Sequence, residues 1–540
     1  RDSWLKAERE IEGLPRCDTT GREPAMTVHG LVEERAGQYG DKTFVLFKEE
    51  EVSFKQLADR MNRVANGLAK LGFGKGDKVA LLLPNCLEFL YGFFGIMRLG
   101  ALIVPINPLL KEGEISYIVD NSEATALITC ERFLERVVAI REQCPKLKTV
   151  ISTGDAADIM PLETVLGTEE TADLPSVSED DEAAIVYTSG TTGRPKGAVL
   201  THRNYVSDAE MLLKAVAIYP EERFMCILPL FHVNAQVVTT LCPLYAGASM
   251  ILMEGFVPRS FLPALAKYKA TTFSAVPTVF AVLNSFPDAE QYDLSNLRFC
   301  ISGAAPLPVE VVEEFERKYK ALIVEGYGLT EGTCASSVTR LTGERKIGSI
   351  GLPLEGQPVK IFDDNDNELP PRTVGEIVVK GPNVMKEYYK NPEATAEALR
   401  NGWLHTGDLG YLDEDGYLYI VDRKKEMIIR GGQNVYPKEI EEVVYRHPAI
   451  LEAAIVGLPD KMWGEEIAAF VVLKPGETMK RRDLIVYCKQ NIAGYKCPRK
   501  VYFVDQLPKT ATGKIQKNKI VEQFASQQDE AEADDEPDSE

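Results

Sequence analysis

The strongest constraint on the fold is an alternation of helical and extended patterns early in the chain. Ser53 and Gln56 form a capping box ahead of the helical pattern Phe54–Leu71. Lys78–Leu83 then reads as a buried strand and Leu87–Leu99 as a helix. Ala101–Val104 and Ala124–Ile128 read as two more short strands. Such β/α alternation predicts parallel sheets covered by helices, an α/β fold of stacked β-sheets. No repeat of solenoid period interrupts it.

The pattern changes near Asp422. Before it, Gly410–Leu412 and Tyr417–Val421 read as two strands joined by the turn Asp413–Gly416. After the charged run Arg423-Lys424-Lys425-Glu426 comes a compact series of elements. Met427–Ile429, Leu451–Val456, Ile467–Leu473 and Val501–Val504 read as strands. Pro437–Arg446, with proline in its first turn, and Lys480–Asn491 read as helices. The expected organisation is a large domain over residues 1–422, a small α+β domain over 423–526, and an acidic, disordered tail over 527–540. Eight of the twelve residues from Asp529 to Glu540 are acidic, which predicts a solvated tail.

Composition narrows the function by exclusion. A net charge of −20 argues against a surface built to hold nucleic-acid phosphates. Ten cysteines without a CxxC pair and five scattered histidines offer no zinc spacing, and predict reduced thiols in a cytoplasmic protein. The most apolar stretch, Val79–Ile106, contains Pro84, Asn85, Glu88 and Arg98 and cannot span a bilayer. No leader pattern stands out in the first residues.

The segment Ile185–Gly197 carries the most specific chemistry. Gly190, Gly193 and Gly197 let backbone N–H groups turn towards an anion, and the hydroxyls of Thr188, Ser189, Thr191 and Thr192 add donors. Lys196 adds charge. The arrangement is a polyphosphate cradle, although Gly/Ser/Thr loops are common in other settings. A P-loop would follow its lysine with Ser or Thr and a helix. Here Gly197-Ala198-Val199-Leu200 prefers a strand, and a helix starts only near Thr201–Arg203.

Tyr187–Gly197 resembles the signature loop of the acyl-adenylate-forming superfamily, which includes AMP-forming acyl-CoA synthetases, beetle luciferases and peptide-synthetase adenylation domains. Its other motifs follow in order over about Lys42 to Lys519. Leu228–His232 is similar to the aromatic–histidine motif of the acyl pocket. The resemblance implies pocket walls from His232, Val233, Asn234, Val276, Pro277, Gly303, Tyr327, Gly328, Gly332 and Cys334. Ser302-Gly303-Ala304-Ala305-Pro306 resembles the segment that packs on adenine. Glu325-Gly326-Tyr327-Gly328-Leu329-Thr330-Glu331 resembles the motif in which Tyr327 stacks on adenine, Thr330 meets phosphate and Glu331, with Thr191, holds Mg²⁺. Trp403–Asp408 resembles the ribose motif. It implies Asp408 on the ribose hydroxyls, with Ile420 beside the nucleotide and Arg423 as a second ribose or phosphate contact. An arginine in an Asp-Arg-Lys-Lys run is also commonly just a surface ion pair. Lys425 aligns with the hinge, and Gly431, Gly432 and Gln433 with the loop that passes the CoA pantetheine. Pro508–Ile515 is similar to the motif of the catalytic lysine, Lys514.

The resemblance implies an acid–thiol ligase that uses ATP, Mg²⁺ and CoA in two half-reactions. A carboxylate attacks the α-phosphorus and expels pyrophosphate; a thiol then attacks the acyl carbon and expels AMP. The first needs Lys196, Thr330, Glu331 and Lys514 against phosphate charge. The second needs Lys514 withdrawn, which the family achieves by rotating a mobile C-terminal domain. The pocket walls are small or apolar and predict a fatty or other apolar medium or long acid. A carrier-protein acceptor, the reverse, ATP-forming direction, peripheral membrane contact and a homodimer stay open. A catalytically dead binding protein is disfavoured by intact Lys196, Glu331, Asp408, Arg423 and Lys514.

Overall fold

The computed structural model describes residues 26–154, 159–167, 172–188, 194–287, 289–305, 307–460, 462–510 and 514–524. The expected acidic tail therefore lies outside the described residues, as do Ser189–Gly193 of the cradle and Pro306.

The early alternation folds as two mainly parallel sheets. In one, eight strands run in the order Glu387–Tyr388, Lys196–Thr201, Glu182–Thr188, Leu102–Pro105, Lys78–Leu82, Ala126–Thr129, Thr149–Ser152, Met160–Pro161. The other has nine strands, with Leu322–Tyr327, Phe299–Ser302, Thr272–Ala275, Arg223–Cys226 and Ser249–Leu252 as its parallel centre. The capping box forms: the Gln56 N–H donates to Ser53 Oγ at 3.1 Å, and the Ser53 N–H to Gln56 Oε1 at 2.8 Å. It opens the helix Phe54–Lys70, whose buried face includes Leu57, Met61, Val64 and Leu68. That face meets the helix Leu87–Arg98, buried along most of its length. Close approach is possible because Gly95 is there; a Cβ at Gly95 would sit 2.5 Å from Val64. Phe273, Phe280, Phe299 and Phe315 fill the core of the nine-stranded sheet.

A third sheet has four antiparallel strands, Val359–Phe362, Gly375–Val379, Leu404–Leu412 and Leu418–Arg423. Its hairpin is longer than the sequence pattern suggests, because pairing extends back to Asp408 opposite Arg423 despite their charges. Beyond Arg423 lies a small α+β unit with its own sheet. In the long hairpin Ile450–Asp460 and Gly464–Leu473, the free edge of the second strand pairs with both Ile428–Arg430, at Gly464, and Lys500–Phe503, from Ala468 to Val471. The helices Pro437–Tyr445 and Arg481–Asn491 cover it, and two cores of its own hold it together. The architecture is thus a large N-terminal sheet domain and a small C-terminal one. No helix among the described residues is long and apolar enough to cross a membrane.

Candidate active site

The cradle joins two antiparallel strands, with Tyr187 opposite Gly197 and Thr188 opposite Lys196. The Thr188 hydroxyl donates to the Lys196 carbonyl at 3.4 Å. The helix starts at His202, capped by Thr201. This strand–loop–strand geometry leaves no place for a P-loop helix after the lysine. The loop exit is pinned by Tyr117, whose hydroxyl donates to the Pro195 carbonyl at 3.1 Å. The hydroxyls and glycines at 189–193, including Thr191, lie outside the described residues.

Across from the cradle, the strand Leu322–Tyr327 carries Glu325, Gly326 and Tyr327. Next to it, Phe299–Ser302 delivers Gly303, Ala304 and Ala305, with Ala304 at φ 69°. Gly303 faces the Gly326 carbonyl. Gly328 has no room for a side chain: a Cβ would fall 1.7 Å from the Cys334 carbonyl oxygen. Thr330–Gly332 forms one tight turn that presents Glu331.

The four-stranded sheet brings Asp408 and Arg423 directly opposite each other. The Tyr327 hydroxyl donates to Asp408 Oδ2 at 2.8 Å, and Arg423 Nε lies 3.1 Å from Oδ1. One carboxylate therefore joins residues of two sheets. Burial, with the Asp408 carboxylate adding to it, raises the Tyr327 phenol well above its ordinary value. A cavity of about 320 Å³ opens here, lined by Thr406, Gly407, Asp408, Arg423, Lys424 and Lys425. Ile420 is not among the residues that line it; its carbonyl accepts from Lys438 Nζ at 2.7 Å.

Lys514, from the small domain, comes to the same cluster. Burial first, then the Arg423 charge, pull its ammonium down to about 8, while Glu426 and Asp408 act the other way. Its backbone is fixed by the Thr510 hydroxyl, which accepts from the Lys514 N–H at 3.1 Å. Burial and the Lys514 charge in turn hold His232 down at about 4, so that imidazole is neutral near pH 7. The His232 ring accepts from the Asn234 N–H at 3.2 Å, and Asn234 accepts from the Ser274 hydroxyl at 2.9 Å. Val233 is buried. Gly332 is held by Asn383, whose amide donates to its carbonyl at 2.8 Å. Val276 faces a larger cavity of about 1070 Å³, with Leu228, Phe231, Phe256 and Val279 on its apolar walls and Lys111, Arg132 and Arg136 among its charged ones.

Gly431, Gly432 and Gln433 are not brought to this cluster. They form an exposed turn whose Gly431 N–H donates to the Trp463 carbonyl, with φ 57° and 78° at the two glycines. In this arrangement Lys514, not the glycine turn, comes to the site. Lys425 is exposed at the joint between the domains, and burial of its ammonium end and the Arg423 charge lower its affinity for a proton.

The donor set suits Mg²⁺ carried in on ATP. Glu331 offers one carboxylate, and the described residues contain no cluster of three or more metal-ligating side chains that would hold an ion without phosphate oxygens. Sequence reasoning missed Tyr388, which touches both Glu331 and Lys196. Its only local signal is the pair Tyr388-Tyr389 ahead of Asn391-Pro392.

Residues 32–389 match the family model described as AMP-binding enzyme, and residues 439–514 match that of the AMP-binding enzyme C-terminal domain. The chain belongs to the AMP-binding enzyme family. The long-chain-fatty-acid–CoA ligase of Bacillus subtilis (strain 168) is 36% identical over 531 residues, covering 93% of this chain and 95% of that one. A feruloyl-CoA synthase of an Amycolatopsis species is 38% identical over 474 residues, covering 88% and 94%. The crystal structure of an anthranilate CoA ligase in complex with anthranoyl-AMP superposes with a TM-score of 0.88 at 30% identity, covering 94% of this chain and all of that one. As a member of this family the chain is an acid–thiol ligase, with ATP and CoA as cosubstrates and Mg²⁺ accompanying the nucleotide.

Proposed function

We propose that this AMP-binding enzyme converts an uncharged-tailed, apolar carboxylic acid into its acyl-adenylate and passes the acyl group to CoA. The observation that carries the reading is Lys514, delivered by the small domain to the Tyr327–Asp408–Arg423 cluster. A lysine in that place meets negative charge as the carboxylate attacks the α-phosphorus and pyrophosphate leaves. Asp408, an acceptor with Arg423 on one oxygen and Tyr327 on the other, suits a ribose diol. Mg²⁺, when bound with ATP, supplies charge neutralisation on the phosphates.

Support for an apolar acid comes from the pocket walls. His232 is neutral, and Val233 and Val276 are buried. No guanidinium stands among these residues; those of Arg132 and Arg136 lie elsewhere on the wall of the cavity that Val276 faces, and the dicarboxylic acids of the panel below probe them. The relatives named above differ in their acids at nearly equal identity, so a fatty acid is favoured by the walls rather than by likeness. CoA as acceptor is supported by the relatives, which are named as CoA ligases and synthases, while the large cavity beside Val276 gives a long apolar chain room along Leu228, Phe231 and Phe256.

A panel of short, medium, long, aromatic and dicarboxylic acids, scored by AMP release with CoA, tests the reading. Highest kcat/KM is expected for medium or long monocarboxylates; a preference for dicarboxylates, or ADP as product, would sink it. In the same assay Lys514→Ala is expected to slow adenylation by about 10²–10³-fold while a supplied acyl-AMP still yields thioester. Equal loss of both half-reactions in a folded variant would count against the role.

A further inference from the structure

A two-residue strand, Glu387–Tyr388, closes the edge of the eight-stranded sheet beside the cradle. It pairs with the strand that leaves the loop, Tyr388 opposite Ala198, and the Tyr389 N–H donates to the Gly197 carbonyl at 2.8 Å. Just before it, the Met385 N–H donates to the Glu331 carbonyl at 2.7 Å. The segment thus stitches the cradle's exit strand to the turn that presents Glu331. The Tyr388 side chain repeats this link. Its hydroxyl donates to Glu331 Oε1 at 2.7 Å, and Lys196 Nζ lies over its ring, 5.2 Å from the centroid. One half-buried ring therefore touches the carboxylate assigned to the metal and the lysine assigned to the phosphates. Its own backbone is fixed, since the Tyr388 N–H donates to Thr395 Oγ1 at 3.0 Å and that hydroxyl donates to the Asn391 carbonyl at 2.8 Å.

We propose that Tyr388 is a positioning residue for Glu331: its hydroxyl holds one carboxylate oxygen so that the other faces the metal that accompanies ATP, and its ring keeps Lys196 alongside. This rests on the adenylation reading above. A carboxylate on a short turn can swing through several rotamers, and a charge-assisted hydrogen bond to a locked phenol selects one of them. Outer partners of ligating carboxylates act in this way, and their loss weakens metal binding by about 10–100-fold.

The test is Mn²⁺ affinity, read by electron paramagnetic resonance of the full chain with α,β-methylene-ATP, which cannot donate its adenylyl group. Tyr388→Phe removes the hydroxyl and keeps the ring under Lys196. It is expected to weaken Mn²⁺ binding about tenfold, with metal-free nucleotide affinity and unfolding midpoint unchanged. In a Glu331→Ala background the same substitution is expected to add nothing. Thr395→Val leaves Tyr388 in place but loosens its backbone, and is expected to weaken Mn²⁺ in the same sense; it serves if Tyr388→Phe does not fold. Glu331→Ala weakened but Tyr388→Phe and Thr395→Val unchanged would overturn the positioning role alone. Glu331→Ala with Mn²⁺ affinity intact would overturn the metal's place on Glu331, and the positioning role with it.

Discussion

Lys514 reaches the Tyr327–Asp408–Arg423 cluster from another domain, so its protonation state is set by residues far from it in sequence. Burial and Arg423 bring its ammonium down to about 8, with Glu426 and Asp408 opposing. The sign for catalysis follows directly. Below that value the ammonium is charged and can meet phosphate; as pH rises through it, charge is lost. For the free enzyme, kcat/KM for ATP in pyrophosphate exchange is expected to fall on the alkaline side of about pH 8. Lys514→Arg keeps its charge at any accessible pH. That variant should be slower but should lack the alkaline fall up to about pH 10. An unchanged fall in Lys514→Arg would assign it to another group. The lysine itself is legible in sequence only through the motif Pro508–Ile515, because a lysine in a short polar loop carries no local mark of its destination. His232 shows the same limit from the other side: its neutrality depends on burial and on Lys514, 282 positions away in the chain.

At the scale of elements, the joint between the domains is a short segment with few ties. The Glu426 and Met427 N–H groups both donate to the Arg423 carbonyl, at 2.9 and 3.1 Å, and the Lys424 N–H donates to the Gly407 carbonyl at 2.9 Å. Among the described bonds none uses the Lys425 N–H, so proline there removes no recorded hydrogen bond while fixing φ and restricting Lys424. Lys425→Pro is therefore expected to fold normally and to form acyl-AMP in a single turnover. Steady-state thioester production should drop by at least about tenfold, because the swing between half-reactions is impeded. Parent-like turnover would count against a hinge at this position. The elements most legible in sequence are those stabilised locally, such as Phe54–Lys70 with its capping box and the strands around the cradle. The four-stranded sheet is only half legible, since the pairing of Leu404, His405 and Asp408 depends on partner strands and not on an alternating pattern. Tyr388 is not legible at all: its meaning lies in Glu331, 57 residues earlier, and in a ring face that no periodicity reports.

For the whole molecule the question is what holds the small domain in its present place. The contacts across the joint are mostly polar. Asp422 accepts from the Lys438 N–H at 3.0 Å, Lys438 Nζ reaches the Ile420 carbonyl, and Arg446 lies 3.3 Å from Glu310. Lys517, three residues after Lys514, is held 2.8 Å from Glu441 and 3.4 Å from the joint residue Glu426. Each domain keeps its own apolar core, so parting them exposes little of either. Interfaces of this kind permit domain motion at small cost. Under the proposed function, the arrangement seen here, with Lys514 at the cluster and the Gly431–Gly432 turn outside it, serves adenylation, and thioester formation calls for a second. Fixing the first should separate the half-reactions. Glu310→Cys with Arg446→Cys, joined by a short bis-maleimide, is expected to keep single-turnover acyl-AMP formation within about threefold of the uncrosslinked pair. CoA thioester formation should fall by at least about 10²-fold, since the lysine loop cannot make way for the thiol. The same reagent on the parent chain controls for its native cysteines. If the crosslinked enzyme still turns over CoA at the parent rate, one arrangement serves both steps and the domain swing is unnecessary. If adenylation is lost instead, the present arrangement is not the one in which acyl-AMP forms, and Lys514 must act from a different placement.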